Sequence, residues 1–245
     1  GEYVQGYTNF LHLLCVSILG YFGLDLVDAA RLVSSAAFIA TAILLAYCGY
    51  SFRLGYSKNF QHLPIIIFIT SAPVIVWTLG GLETVLFGFL TLLGTVTFLS
   101  AIGKNNSNRR FLLSGAFFGL AFLTRPDAIV FIGVSSIYLF WHYRKSLNQK
   151  VAFLSHMAPS TVVCSRKQLA WNLIILWMGC AFIMLPYICW QINYYGDLVP
   201  NTFYAKSGAP FLLKFNNGIT YIYEYFTHFP FLLLILSLLL FYSFY

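Results

Sequence analysis

The chain has 245 residues, of which 60% are hydrophobic, 19% aromatic and only 9% charged. A soluble domain of this length needs roughly 25% charged residues to cover its surface, so the composition excludes one and indicates an integral membrane protein. The net charge of +7 does not mark a nucleic-acid-binding protein, because the basic residues are confined to alternate connections between apolar segments.

The segment GEYVQGYTN (1–9) opens the chain without a basic n-region, so no signal peptide is expected. The lack of an initiator Met and the end inside an apolar run suggest a piece of a longer polypeptide. The first apolar stretch, TNFLHLLCVSILGYFG (8–23), is short for a membrane span and reads as an interfacial or re-entrant helix. Runs long enough to cross a bilayer follow at about 30–50, 63–79, 83–101, 169–191 and 229–245. The apolar stretch 110–142 is interrupted by TRPD (124–127).

Ten of the fourteen Lys and Arg residues lie in three connections, 51–62, 103–110 and 143–168, and none of the seven acids does. The positive-inside rule places these connections in the cytoplasm and the acid-bearing ones outside. With both flanks basic, 110–142 must go out and return, at roughly 25 Å per pass. That sets the turn at Arg125-Pro126-Asp127 in a recess below the outer surface. The long connection 192–228 reads as an extracytoplasmic loop containing an amphipathic helix near 211–227, followed by the last span, 229–245. The whole is a single membrane domain: residues 1–30 an outer-face loop with the interfacial helix, and 31–191 the main set of transmembrane helices.

Four outward segments hold the unusual polar residues: GEYVQGYTN (1–9), WTLGGLET (77–84), TRPD (124–127) and NYYGDLVPNTFYAK (193–206). Ionisable residues at membrane depth are costly and are candidates for function. Glu83 follows Gly80-Gly81, where glycines permit a sharp turn or close helix approach; it either assists chemistry on a sugar hydroxyl or complements the dipole of the helix it starts. Arg125 is either a phosphate ligand through its planar fork of donors or part of a plain turn whose Asp127 caps the returning helix. Tyr194, Tyr195 and Tyr204 suit an interfacial aromatic belt. That belt does not account for Asp197, Asn201 and Lys206 beside them, a set suited to a sugar and a lipid phosphate. The five cysteines show no CxxC spacing and read as buried hydrophobes, and the scattered histidines indicate no metal site.

In their order, VQGYTNFL, GGLETVLF, LTRPDAIVF and YYGDLVPNTFYAK resemble the membrane-embedded GT-C glycosyltransferases. They are most similar to the family 39-like branch that includes the mycobacterial terminal arabinofuranosyltransferase. The resemblance covers residues 1 to about 210. It implies an all-α, polytopic GT-C-like helix bundle in the inner (cytoplasmic) membrane with its active face extracytoplasmic. It implies transfer of a sugar from a polyprenyl-phosphate-linked donor to a glycan, lipid or protein acceptor. Arg125 and Lys206 are then expected at the donor phosphate, and Glu83 as an assisting acid. Glu2, Tyr7, Thr8, Asn9, Asp127, Tyr195, Asp197, Asn201 and Tyr204 are expected around sugar or acceptor. The family's catalytic Asp follows its first helix and is expected upstream of Gly1. Gln5 stands where many relatives carry an acid. No cofactor is evident, although some members of the wider fold use a divalent metal. A transporter or lipid flippase is the alternative; it calls for charges near the midplane and broken helices in corresponding halves.

Overall fold

A computed structural model describes residues 5–51, 62–102, 107–153, 166–197 and 210–228, and every regular element among them is helical. The helices are α1 (Phe10–Tyr21), α2 (Leu26–Ser51), α3 (Leu63–Thr70), α4 (Ala72–Leu79), α5 (Glu83–Ala101), α6 (Asn108–Thr124), α7 (Ile129–Phe153), α8 (Arg166–Tyr195) and α9 (Phe211–His228). A 3-10 turn, Pro126–Ala128, joins α6 to α7. The described residues divide into two compact units, one running from Tyr7 through α8 and the other containing α9.

Within the first unit, side-chain contacts fix the direction of each helix. Arg31 Nε donates to the Leu79 carbonyl at 3.1 Å, while Phe38, two turns further along α2, stacks on Phe68 at 5.0 Å. Thus α3 and α4 run opposite to α2. Arg110 Nη1 donates to Ser100 O at 2.9 Å and Ser114 Oγ to Gly94 O at 2.8 Å, so α5 and α6 are antiparallel. Asn172 Nδ2 donates to Tyr143 OH at 2.6 Å and Trp177 Nε1 to Ser136 Oγ at 3.1 Å, so α7 and α8 are antiparallel as well. Gly115 meets Leu176 and Gly119 meets Ile183, which makes α6 and α8 parallel. Helices α6 and α7 therefore run antiparallel, and the stretch 110–142 reverses at the Pro126–Ala128 turn.

This up-and-down course sorts charge between the two ends of the bundle. Asp25, Asp28, Glu83, Asp127 and Asp197 lie at the end formed by the start of α2, the α4–α5 and α6–α7 turns and the end of α8. Arg109, Arg110, Arg144, Lys145 and Lys167 lie on helix segments at the opposite end. The two arginines at the acidic end, Arg31 and Arg125, each pair with acids there.

Small residues let α6 and α8 touch backbone to backbone. A Cβ on Gly115 would overlap the Leu176 carbonyl, one on Gly179 the Leu112 carbonyl, and one on Gly119 would lie 2.9 Å from the Cys180 carbonyl oxygen. Close approach of this kind holds helices together where lipid removes the hydrophobic drive between them. Phe98, Phe111, Phe118 and Leu176 fill the core around that seam. The outward faces are apolar instead: Val130, Val134, Ile137 and Trp141 on α7, and Trp171, Ile174, Met178, Phe182 and Leu185 on α8, recur every three or four residues and are exposed. Three described helices, Leu26–Tyr50, Glu83–Ala101 and Lys167–Tyr195, are long and apolar enough to cross a bilayer. This is a multi-pass membrane protein with an all-α bundle.

Several boundaries differ from the sequence reading. The expected span 63–79 is two short helices broken at Ser71, which is extended (φ −71°, ψ 108°). Pro73 has no N–H for the carbonyl four residues back and its ring clashes there, so the helix restarts. The connection expected from Tyr143 is helical to Phe153, because YRKSLNQKVAF contains neither Gly nor Pro and α7 simply continues. The outward pass, α6, has 17 residues or about 26 Å, whereas α7 with 25 residues reaches about 37 Å. Helix α8 extends to Tyr195, so Tyr194 and Tyr195 are helical and not part of a loop. At 12 residues, α1 is about 18 Å long and too short to span. The amphipathic helix expected near 211–227 is α9, and the stretch 229–245 lies outside the described residues.

Candidate functional site

The acidic end of the bundle is built from tight turns. Gly81 has φ +69°, and a Cβ there would sit 3.0 Å from Ala30 Cβ and 3.1 Å from Arg31 N, so both its left-handed backbone and its closeness to α2 demand glycine. Ser34 Oγ donates to Leu82 O at 2.9 Å and pins the turn to α2. Leu82 is extended and Glu83 is the first residue of α5, where a carboxylate complements the helix dipole.

Across from it, α6 ends because Pro126 drives Arg125 into extended backbone (φ −154°, ψ 125°). The Arg125 fork then closes on its neighbour: Nε to Asp127 Oδ1 and Nη2 to Asp127 Oδ2, both 3.2 Å. Arg125 Nη1 stands 3.8 Å from Glu83 Oε1, and Cζ lies 5.5 Å from the Phe87 ring centroid. Both carboxylate oxygens of Asp127 accept from Arg125, where the sequence also allowed Asp127 to cap the returning helix. Two carboxylates and one guanidinium thus share one partly exposed cluster.

Helix α1 lies between this cluster and the end of α8. Leu11 packs with the group Leu90, Ala121 and Ala128, while Phe10 meets Tyr187 at 4.6 Å and Trp190 at 5.7 Å between ring centroids. His12 and Val16 form its buried face. Burial lowers the His12 pKa from its ordinary value, and the charge of Glu83 partly opposes that shift. His12 Nε2 is buried without a hydrogen-bond partner among the described residues. In the sequence His12 is one of five scattered histidines, and its spacing with Val16 on one face of a short apolar helix is the one sign of its burial.

Helix α8 closes on Gly196 at φ +76°, whose N–H donates to Ile192 O at 2.9 Å. Gln191 Nε2 donates to the Asp197 carbonyl at 3.4 Å. Trp190 stacks on Tyr194 at 5.5 Å, and Tyr195 meets Trp190 and Tyr194 edge-on at 5.8 and 4.8 Å. The hydroxyls of Tyr7 and Tyr195 are 3.4 Å apart, which brings the first and last motifs together. The Tyr7 phenol is pushed up from its ordinary pKa by burial, then by the Tyr195 hydroxyl and the other nearby tyrosines. Thr8 and Asn9 are half-buried just before α1, and Asn9 gives no side-chain cap. The structure therefore gathers Glu83, Arg125 and Asp127 in one cluster and Tyr7, Tyr195 and Asp197 around the end of α8. Glu2, Asn201, Tyr204 and Lys206 lie outside the described residues. Among the described residues, no group of three His, Cys, Asp or Glu is placed to hold a metal.

The dolichyl-phosphate-mannose-protein mannosyltransferase family model matches residues 28–171. The match takes in α2 to the start of α8, and with them both Glu83 and the Arg125–Asp127 turn. No curated protein and no solved structure matches the chain. The matched stretch is well over half of the 245 residues, and the chain belongs to the dolichyl-phosphate-mannose-protein mannosyltransferase family of membrane glycosyltransferases.

Proposed function

We propose that this protein moves a sugar from a polyprenyl-phosphate donor to an acceptor hydroxyl at the acidic end of its bundle, on the extracytoplasmic face of the membrane. The observation that carries this reading is Arg125, held at a helix break by Asp127 and facing Glu83 across two helices. Guanidinium has five N–H donors. Asp127 takes two of them and Glu83 is beyond hydrogen-bond distance of Nη1, so that edge is left for a phosphate oxygen.

In the transfer, the acceptor oxygen bonds to the sugar's anomeric carbon. The bond from that carbon to the phosphate oxygen breaks, and its electron pair leaves with the polyprenyl phosphate. The acceptor proton passes to a carboxylate. Arg125 stabilises the charge growing on the departing phosphate. Glu83 is the assisting carboxylate, and the resemblance implies a donor-phosphate role for Lys206, which lies outside the described residues. The aromatic rings at Tyr7, Trp190 and Tyr195 supply faces for a sugar, and Thr8, Asn9, Asp127 and Asp197 supply polar contacts; for Glu2, Asn201 and Tyr204, outside the described residues, such a role is implied by the resemblance alone. The four motifs favour the branch that resembles the arabinofuranosyltransferase. A flippase is disfavoured by the gathering of acids at one end of the bundle.

The full-length protein in membranes, given mannosyl, glucosyl and arabinosyl polyprenyl phosphates with an extract of envelope acceptors, should release free polyprenyl phosphate and label an acceptor from at least one donor. No release from any of the three would sink the proposal.

A further inference from the structure

An imidazole has two nitrogens that form hydrogen bonds in every protonation state, and burying one without a partner is unfavourable. His12 is 7% exposed, and its Nε2 is closed off from solvent with no partner among the described residues. Its companion on the buried face of α1 is Val16, and the neighbouring Leu11 packs with Leu90, Ala121 and Ala128. A leucine would fill the place without leaving a polar atom stranded. The residue also stands within electrostatic reach of Glu83, on the helix that adjoins the cluster containing Ala121 and Ala128, either side of Arg125. A costly polar atom at such a position has a use when something else completes it.

We propose that His12 is a substrate-binding residue of the Glu83–Arg125 site, its Nε2 taking a hydrogen bond to a hydroxyl of the transferred sugar or of the acceptor. A hydroxyl both donates and accepts, so it satisfies Nε2 in either neutral tautomer; a phosphate oxygen satisfies only the protonated nitrogen. This inference rests on the glycosyl-transfer reading and adds a residue to it outside the matched stretch 28–171.

The test compares His12→Leu with His12→Gln in the full-length protein, using the same three polyprenyl-phosphate donors. The Gln amide reaches the position of Nε2 and restores a donor and an acceptor, whereas Leu keeps the bulk alone. The expected result is a fall of roughly ten- to a hundredfold in kcat/KM for Leu, with Gln recovering most of it. The melting temperature of the Leu variant should be no lower than that of the wild type. Equal activity of Leu and Gln, whether both high or both low, overturns the role of His12, as does a Leu variant that loses activity and stability together. A wild type inactive with all three donors removes the glycosyl-transfer reading itself, and the role of His12 with it.

Discussion

Arg125 Nη1 faces Glu83 Oε1 at 3.8 Å while its other edge is clasped by Asp127, so two carboxylates from different turns of the bundle share one cation. The pair with Glu83 ties the start of α5 to the end of α6 where the two antiparallel helices meet the α4–α5 and α6–α7 turns. The side chains are 39% exposed for Arg125 and 24% for Glu83, and an ion pair so placed contributes at most about 1 kcal/mol to stability. The arrangement is therefore expected to matter more for what it binds than for folding.

Glu83→Gln follows from this directly. It keeps the shape and removes the charge, so thermal unfolding in detergent should shift by no more than about 1 kcal/mol. Sugar transfer should fall by roughly tenfold or more, within the range that positioned acid–base groups supply. A large loss of stability with transfer intact would give Glu83 a purely structural role.

The α6–α8 seam predicts the opposite pattern. Gly115→Leu must push a side chain into the Leu176 carbonyl and the Cys180 backbone, and backbone cannot yield as a flexible side chain can. Overpacking of this kind costs about 1–3 kcal/mol and more where nothing moves. Gly133→Leu, a glycine whose Cβ meets nothing within 4 Å, is the control and should unfold close to the wild-type temperature.

Acid should destabilise the protein through His12. Its folded pKa is depressed, so the unfolded chain binds the proton first as pH falls. Stability is then fully present above the ordinary histidine value of about 6.5 and is lost as pH drops from there through the lower folded value. Among the described residues, Glu83 is the charged group that opposes the shift. Melting curves of wild type and His12→Gln between pH 7.5 and 5, conditions chosen to bracket that range, should diverge, with the variant less sensitive to acid. Parallel curves would show that the transition belongs to other histidines.

Charge sorting predicts the orientation in the membrane. In a variant with its five cysteines replaced, a single Cys at Asp197 should react with an impermeant maleimide in intact cells. One at Arg109 should react only after permeabilisation. The reverse pattern would turn the bundle over and place the Arg125 cluster in the cytoplasm.

Much of this architecture was legible in the sequence because charge and hydropathy act along the chain. The basic connections around Arg109 and Arg144 and the acids at Glu83 and Asp127 are enough to demand a return at Pro126, and the contacts Ser114–Gly94 and Asn172–Tyr143 run in those directions. Gly80-Gly81 likewise announced a turn by residue type alone. What was not legible depends on partners distant in sequence. The break at Ser71 was hidden by the unbroken hydropathy of LPIIIFITSAPVIVWTL, in which Pro73 was the sole sign. The capture of Asp127 by Arg125 competes with helix capping, and only geometry decides between them. The burial of His12 comes from packing of α1 against its neighbours, of which the His12–Val16 spacing is the one sign in the sequence.

The most direct measurement is release of polyprenyl phosphate from a labelled sugar donor by the wild type, Arg125→Lys and Arg125→Ala, each checked for an unchanged melting temperature. Lysine retains the charge but loses the fork, so the order wild type, Lys, Ala is expected, with Ala down by roughly a hundredfold or more for loss of a charge-stabilising donor. Wild-type rates of release in both variants would contradict a phosphate site at Arg125.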